Sequence, residues 1–190
     1  MNDGILDMKR MDENLKLEVL HADQLTSEQL AEIHALCNRA YAVYDVDLEP
    51  LFQTFTNATH VIGWWGSAIV SHAMWVTRWL QLSNQPPLRT AYVEMVATEP
   101  QFQGRGFASA VMRRLASAIH DFQLGGLCPA EPMLYTKLGR VFWQGPLFIR
   151  TKDGLISTPE IQIMVLSLPK TLPLDLTLPL SAEWREGEVW

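Results

Sequence analysis

The sequence predicts a single α/β domain with a mixed sheet flanked by helices, and three observations predict it. The chain has 190 residues, enough for one domain with a full core, and its 48% hydrophobic and 19% charged residues suit an ordinary globular protein. Strand-like and helix-like patterns follow one another in the order β-α-α-β-β-β-α-β-α-β-β, with no internal repeat and no linker. The stretch Ala91 to Ile119 reads as strand, turn, glycine-bearing loop and helix.

Met1 to Lys16 mixes acidic and basic residues and lacks the apolar core of a signal peptide. Residues 1–15 are expected to be a flexible N-terminus ahead of a domain over 16–190, and Met8 and Met11 are alternative starts. Leu17 to His21 alternates as a first strand. Thr26-Ser-Glu-Gln29 is a capping box, and Leu30, Ile33, Leu36 and Cys37 form the buried stripe of a helix ending near Tyr41. Pro50 opens a short second helix through Phe55. His60 to Trp65 and Ser67 to Leu80 make a hairpin turning at Trp65-Gly66, and a third strand follows the break at Ser83 to Pro87.

That third strand carries Tyr92, Val93, Met95 and Val96 and stops at Glu99-Pro100. The helix after it begins near Gly106, with Val111, Met112, Leu115, Ile119 and Phe122 on its apolar face. A short apolar piece surrounds Gly126-Leu127-Cys128. A helix from Glu131 to Leu138 is closed by Gly139. Val141 to Ile149, broken at Gly145-Pro146, and Ile161 to Leu168 are the last two strands, the latter apolar enough to be central. The segment from Lys170 is rich in proline and leucine.

The net charge of -6 argues against nucleic acid or an anionic membrane as partner and is compatible with a cationic substrate. Cys37 and Cys128 are the only cysteines and no metal-ligand spacing occurs, which implies a reducing, cytoplasmic setting and no metal. The five histidines are scattered and carry no assigned role. Seven tryptophans and an exposed strand edge allow a homodimer.

Gly104 and Gly106 leave backbone amides uncovered at a helix start, so that an anionic oxygen meets several N–H groups and the positive end of the dipole. A Gly-x-Gly alone is a weak signal. Neither a P-loop nor the dinucleotide fingerprint fits. Gln103-x-x-Gly106-x-Ala108 after an apolar strand, with Leu134-Tyr135-x-x-Leu138-Gly139 downstream, resembles the acetyl-coenzyme A loop and following helix of the Gcn5-related N-acetyltransferase (GNAT) family. The resemblance implies a mixed, mostly antiparallel sheet and acetyl-CoA as co-substrate. It implies that backbone groups of Val96, Ala97 and Thr98 pair with the pantetheine arm, and that Gln103, Gly104, Arg105, Gly106, Phe107 and Ala108 surround the pyrophosphate. It also makes Tyr135 the acid for the departing thiolate.

Glu94 is a carboxylate among apolar and aromatic strand neighbours, and a buried carboxylate needs a reason. One reason is a core ion pair with an arginine such as Arg89. The other is a base, direct or through water, whose pKa burial raises toward that of the amine it deprotonates.

Glu183-Trp-Arg-Glu-Gly-Glu-Val-Trp190 looks like the terminus of the aminoglycoside 2'-N-acetyltransferases. That likeness implies that the α-carboxylate of Trp190 pairs with sugar amines, and that Asp45, Glu94 and Glu160 supply further carboxylates to the acceptor. Several ammonium groups are best held by several carboxylates in a partly enclosed cleft. The chain departs from the pattern at Cys128 to Leu134, where Cys128 stands in place of a substrate-binding serine; on residue type alone Cys128 is a buried small hydrophobe. The acceptor expected is an aminoglycoside of the kasugamycin or the gentamicin and tobramycin class, with acetylation conferring resistance. Two other readings stand beside it. A GNAT enzyme for another small amine or a peptide N-terminus would acetylate those and no aminoglycoside, and a non-catalytic regulator would bind coenzyme A without turnover.

Overall fold

The computed structural model describes residues 14–190, so the expectations for residues 1–13, including the alternative starts, lie outside the described residues. Leu15, expected in the flexible N-terminus, already opens the first strand. Chain contacts divide the protein into two compact units. One holds the chain up to Leu48 with Asn57–Met74 and Met95–Leu115; the other holds Glu49–Thr56, Trp75–Glu94 and Ala116–Trp190.

In the first unit, β1 (Leu15–His21) pairs antiparallel with β2 (Thr59–Trp65), Val19 opposite Val61, and β2 pairs with the first half of β3 (Ala68–Leu82). Between β1 and β2 runs α1 (Ser27–Tyr41), started as expected by a reciprocal capping box in which Gln29 N donates to Thr26 Oγ1 and Thr26 N donates to Gln29 Oε1. Ile33, Leu36 and Cys37 are buried on α1, whereas Leu30, expected with them, is 40% exposed. The unit also holds the end of β4 (Leu88–Thr98), a 3-10 turn over Pro100–Phe102, and most of α3 (Phe107–Ala118), whose Val111, Met112 and Leu115 are fully buried.

The second unit opens with α2 (Glu49–Phe52), shorter than expected. Its strands lie in the order β6 (Val141–Phe142), β9 (Met164–Leu166), β5 (Leu124–Leu127), β4, β3, β10 (Leu180–Glu183), β7 (Leu147–Thr151) and β8 (Gly154–Ser157). The pairs β4–β5 and β10–β7 are parallel; β5–β9, β6–β9, β10–β3 and β7–β8 are antiparallel. The mixed, mostly antiparallel sheet is therefore as expected. A short helix, α4 (Pro132–Thr136), is followed by the turn at Gly139.

Two strands went unread in the sequence. All four residues of β8 are exposed, so no alternation of burial marks them. β10 sits in a proline-rich segment and is recognised as a strand only because β3 and β7 flank it. The apolar run from Ile161 yields the short β9, which lies between β5 and β6 and so is interior.

Candidate active site

In the first unit, β4 ends in a loop built for close approach. Gly104 and Gly106 have φ of +75° and +86°, and a side chain added at either would meet nothing within 4 Å. Gln103 N donates to Pro100 O and Ala110 N to Gly106 O. The amides between them belong to the loop and first helical turn, where no preceding carbonyl of the helix is available. An anionic phosphate fits this cradle, with Arg105 as the local cation. The Arg105 guanidinium carbon lies 5.2 Å from the Phe102 ring centre, and Phe102 stacks on Phe107 at 5.7 Å.

Of the backbone groups expected to meet a pantetheine arm, at Val96, Ala97 and Thr98, the carbonyls carry side-chain partners. Tyr41 donates its hydroxyl to Val96 O at 3.2 Å, and Gln103 Nε2 donates to Thr98 O at 3.2 Å. The Gln103 side chain therefore braces the end of β4. Ala97 O accepts from Ser71. Within β4, Met95 has φ of +49°, a sparsely populated conformation for a residue with a side chain, and its carbonyl is held by His72 Nδ1 at 2.9 Å.

In the second unit, Glu94 stands at the centre of a polar cluster. Its side chain is 16% exposed, and Oε1 accepts from Arg78 Nη2 at 2.6 Å. The buried ion pair is real, but Arg78 is the partner and not Arg89, whose guanidinium lies over the Phe122 ring at 4.0 Å. Strand geometry explains the correction: Arg78 lies on β3, the hydrogen-bonded neighbour of β4, whereas Arg89 lies on β4 itself, five residues from Glu94. Burial pushes the Glu94 carboxyl up to about 7 even though Arg78 and Arg185 favour its charge; Glu188 adds to the rise. The Arg78 guanidinium also lies 4.2 Å over the Tyr92 ring, and the buried Tyr92 hydroxyl is pushed up by desolvation and by Glu94.

The segment after β10 closes this cluster. Arg185 Nη2 donates to Thr54 O at 2.5 Å. Gly187 has φ of +80°, and a Cβ there would stand 2.6 Å from the Thr54 side chain. Arg78 then donates to Glu188 O at 3.3 Å and to Val189 O, and the Trp190 side chain is buried. Beside them opens a cleft of about 850 Å³ lined by Thr54, Thr77, Arg78, Glu183, Arg185 and Glu186 among others. That volume lies within the usual range for small-molecule sites.

The other expected residues fall differently. Cys128 is exposed, not a buried small hydrophobe; partial desolvation, Glu94 and Glu188 push its thiol up. Tyr135 is buried on α4, with the Arg140 guanidinium 5.9 Å from its ring centre. Asp45 is exposed in the first unit, with φ of +51° at the end of a 3-10 turn. Glu160 is exposed in the turn after Thr158-Pro159 and does not line the cleft. Sequence reasoning missed Arg78, Arg185, Glu183 and Glu186. Arg78 carried a readable signal, a charge in the apolar run Ala73 to Leu82, which is the argument that singled out Glu94.

Residues 21–142 match the family model described as an acetyltransferase (GNAT) domain. A protein from Mycolicibacterium fortuitum named aminoglycoside 2'-N-acetyltransferase is 34% identical over 130 residues, which cover 65% of this chain and 66% of that protein, just under two thirds of its length. Among solved structures, ElaA from Escherichia coli superposes with a TM-score of 0.58 at 16% identity, covering 80% of this chain and 98% of that one. An acyl-CoA N-acyltransferase from Pseudomonas aeruginosa gives 0.58 at 13% identity, covering 80% and 99%. At these identities the two structures speak for the fold alone.

Proposed function

Since this chain belongs to the GNAT acetyltransferases, we propose that it acetylates an amino group, at the 2' position, of an aminoglycoside of the kasugamycin or the gentamicin and tobramycin class, conferring resistance. The observation that carries this reading is the half-buried Glu94, its carboxyl near 7, held by Arg78 beside a cleft that Glu183 and Glu186 also line. The name of the 34% identical relative supports it. Carboxylates around an open cleft suit an acceptor with several ammonium groups.

Acetyl-CoA supplies the acetyl thioester. The loop Gln103 to Ala108 holds its pyrophosphate, with amides at the helix start and Arg105 opposing the charge. Glu94 takes the proton of the acceptor ammonium, directly or through water, and a pKa near 7 matches a base working at neutral pH. Tyr135 holds the proton that the departing thiolate takes. Glu183, Glu186 and Trp190 orient the acceptor, with Cys128 near Glu94 at the place where the resemblance expects a serine. Acetylation removes a positive charge from the drug and weakens its electrostatic grip on RNA phosphates.

The test is coenzyme A release from acetyl-CoA with kasugamycin, gentamicin, tobramycin and amikacin. Amikacin, which has a hydroxyl at the 2' position, serves as the negative control. Turnover of a 2'-amino compound but not amikacin is the expected result. Silence across the panel, with activity on polyamines or peptides, would replace the aminoglycoside by another amine. Coenzyme A binding without turnover of any amine would point to a regulator.

A further inference from the structure

We propose that Arg78 is a positioning residue that holds the base and one wall of the acceptor cleft as a single piece; the inference rests on the reading of Glu94 as base. The Arg78 side chain is 2% exposed, and its guanidinium is spent on groups far apart in sequence. Nη2 donates to Glu94 Oε1 at 2.6 Å and to Glu188 O at 3.3 Å, and Nη1 donates to Val189 O. A planar fork can meet a carboxylate and two carbonyls at once, which the point charge of a lysine cannot reproduce.

The segment that Arg78 grips is pinned at its other end as well. Arg185 Nη2 is fixed on Thr54 O at 2.5 Å, and Gly187 turns with φ of +80° against the Thr54 side chain. Glu186 and Gly187, which line the cleft, lie between these two anchors. The path of this wall is thus set by Thr54 on one side and by Arg78 on the other. Because the same guanidinium neutralises Glu94, displacing the wall and changing the charge on the base are one event.

Arg78 should therefore affect KM for the acceptor through the wall and kcat through the base. The charged and titratable groups that face Glu94 are Arg78 from β3, Arg185 and Glu188 from the closing segment, Tyr92 from its own strand, and Cys128 after β5. Of these, Arg78 is the one in contact with its carboxylate.

The experiment compares Arg78→Lys, Arg78→Gln and Glu94→Gln with the wild type. It uses hydrogen exchange of the peptide covering residues 186–190, the pH profile of kcat, and acceptor KM. Arg78→Lys keeps the charge and loses the fork, so exchange at 188–190 and acceptor KM should each rise about tenfold while the acid limb of kcat stays near its wild-type position. Arg78→Gln loses both, and its acid limb should also move up by about one pH unit or more. Glu94→Gln leaves Arg78 in place but weakens its hold, and exchange at 188–190 should rise in it too.

Wild-type exchange at 188–190 in both Arg78→Lys and Glu94→Gln would overturn the proposal, as would an unmoved acid limb in Arg78→Gln. If the Arg78 variants do not fold, exchange in Glu94→Gln decides alone. Exchange needs no acceptor, so raised exchange without aminoglycoside turnover would sustain the coupling and sink only the substrate assignment.

Discussion

His60 Nδ1 lies 2.9 Å from His72 Nε2, with both rings buried and 41° apart in plane. His72 Nδ1 faces the carbonyl of Met95, which can only accept, so Nδ1 carries the proton and Nε2 accepts a hydrogen bond from His60 Nδ1–H. The result is a chain of two neutral imidazoles ending on the strained residue of β4. Burial pushes His60 down to about 4 and His72 to about 3.

Acid sensitivity follows from this pair. Both folded values lie below the unfolded value of about 6.5, so the unfolded chain binds protons first as pH falls. The pair's contribution is full above about pH 6.5 and is lost as pH falls, with a slope of up to ~1.4 kcal/mol per pH unit for each histidine, while Glu94, raised to about 7, runs the other way over the same window and offsets about one histidine's slope. Thermal unfolding from pH 8 to 4.5 should show a flat Tm and then a decline, and His60→Phe should show a shallower decline. An identical slope in the variant would place the acid sensitivity elsewhere.

For Glu94, the wild-type kcat should fall below pH 7 and level off above it. Glu94→Gln should lose about 100-fold or more at pH 7 and much less at pH 9, where the amine loses its proton unaided. Kinetics across that range with one acceptor are the measurement, and a loss independent of pH would remove Glu94 from the role of base.

Gly106→Val places a β-branched side chain at φ of +86°, where open space spares a clash but the backbone is strained. KM for acetyl-CoA should rise about tenfold with acceptor KM unchanged, because the amides of the cradle are misdirected. Titration calorimetry with coenzyme A checks this directly, and wild-type affinity would dissociate the loop from the cofactor.

Arg140 is 1% exposed, and among the described residues its Nε, Nη1 and Nη2 have no hydrogen-bond partner. The Tyr135 ring lies 5.9 Å from it, and burial lowers the guanidinium to about 10. An apolar replacement of similar length, Arg140→Met, should therefore stabilise the protein by about 1–3 kcal/mol, a rise of several degrees in Tm. A fall in Tm would mean that the guanidinium is compensated by more than the ring.

The sequence by itself determined the class of fold, the capping box of α1, the run from β4 through the glycine loop to α3, and the family. These are local matters: an apolar period, a cap and two glycines are written in consecutive residues, and each acts within a few residues of itself. The same reasoning marked Glu94 as a carboxylate that needs a partner and singled out the Glu183 to Trp190 segment by resemblance, without assigning Glu183, Arg185 or Glu186 individually.

Only the tertiary structure decided what Glu94 touches. Glu94 and Val189 meet through the Arg78 guanidinium, although 110 residues separate Arg78 from Glu188. That contact exists because β10 inserts between β3 and β7 and delivers the closing segment to Arg78. The His60–His72 pair lies across the β2–β3 hairpin whose turn the sequence marks, but the burial of both rings came only from packing. Pairing across a sheet depends on which strands become neighbours, and the packing of the whole chain sets that, not any window of it.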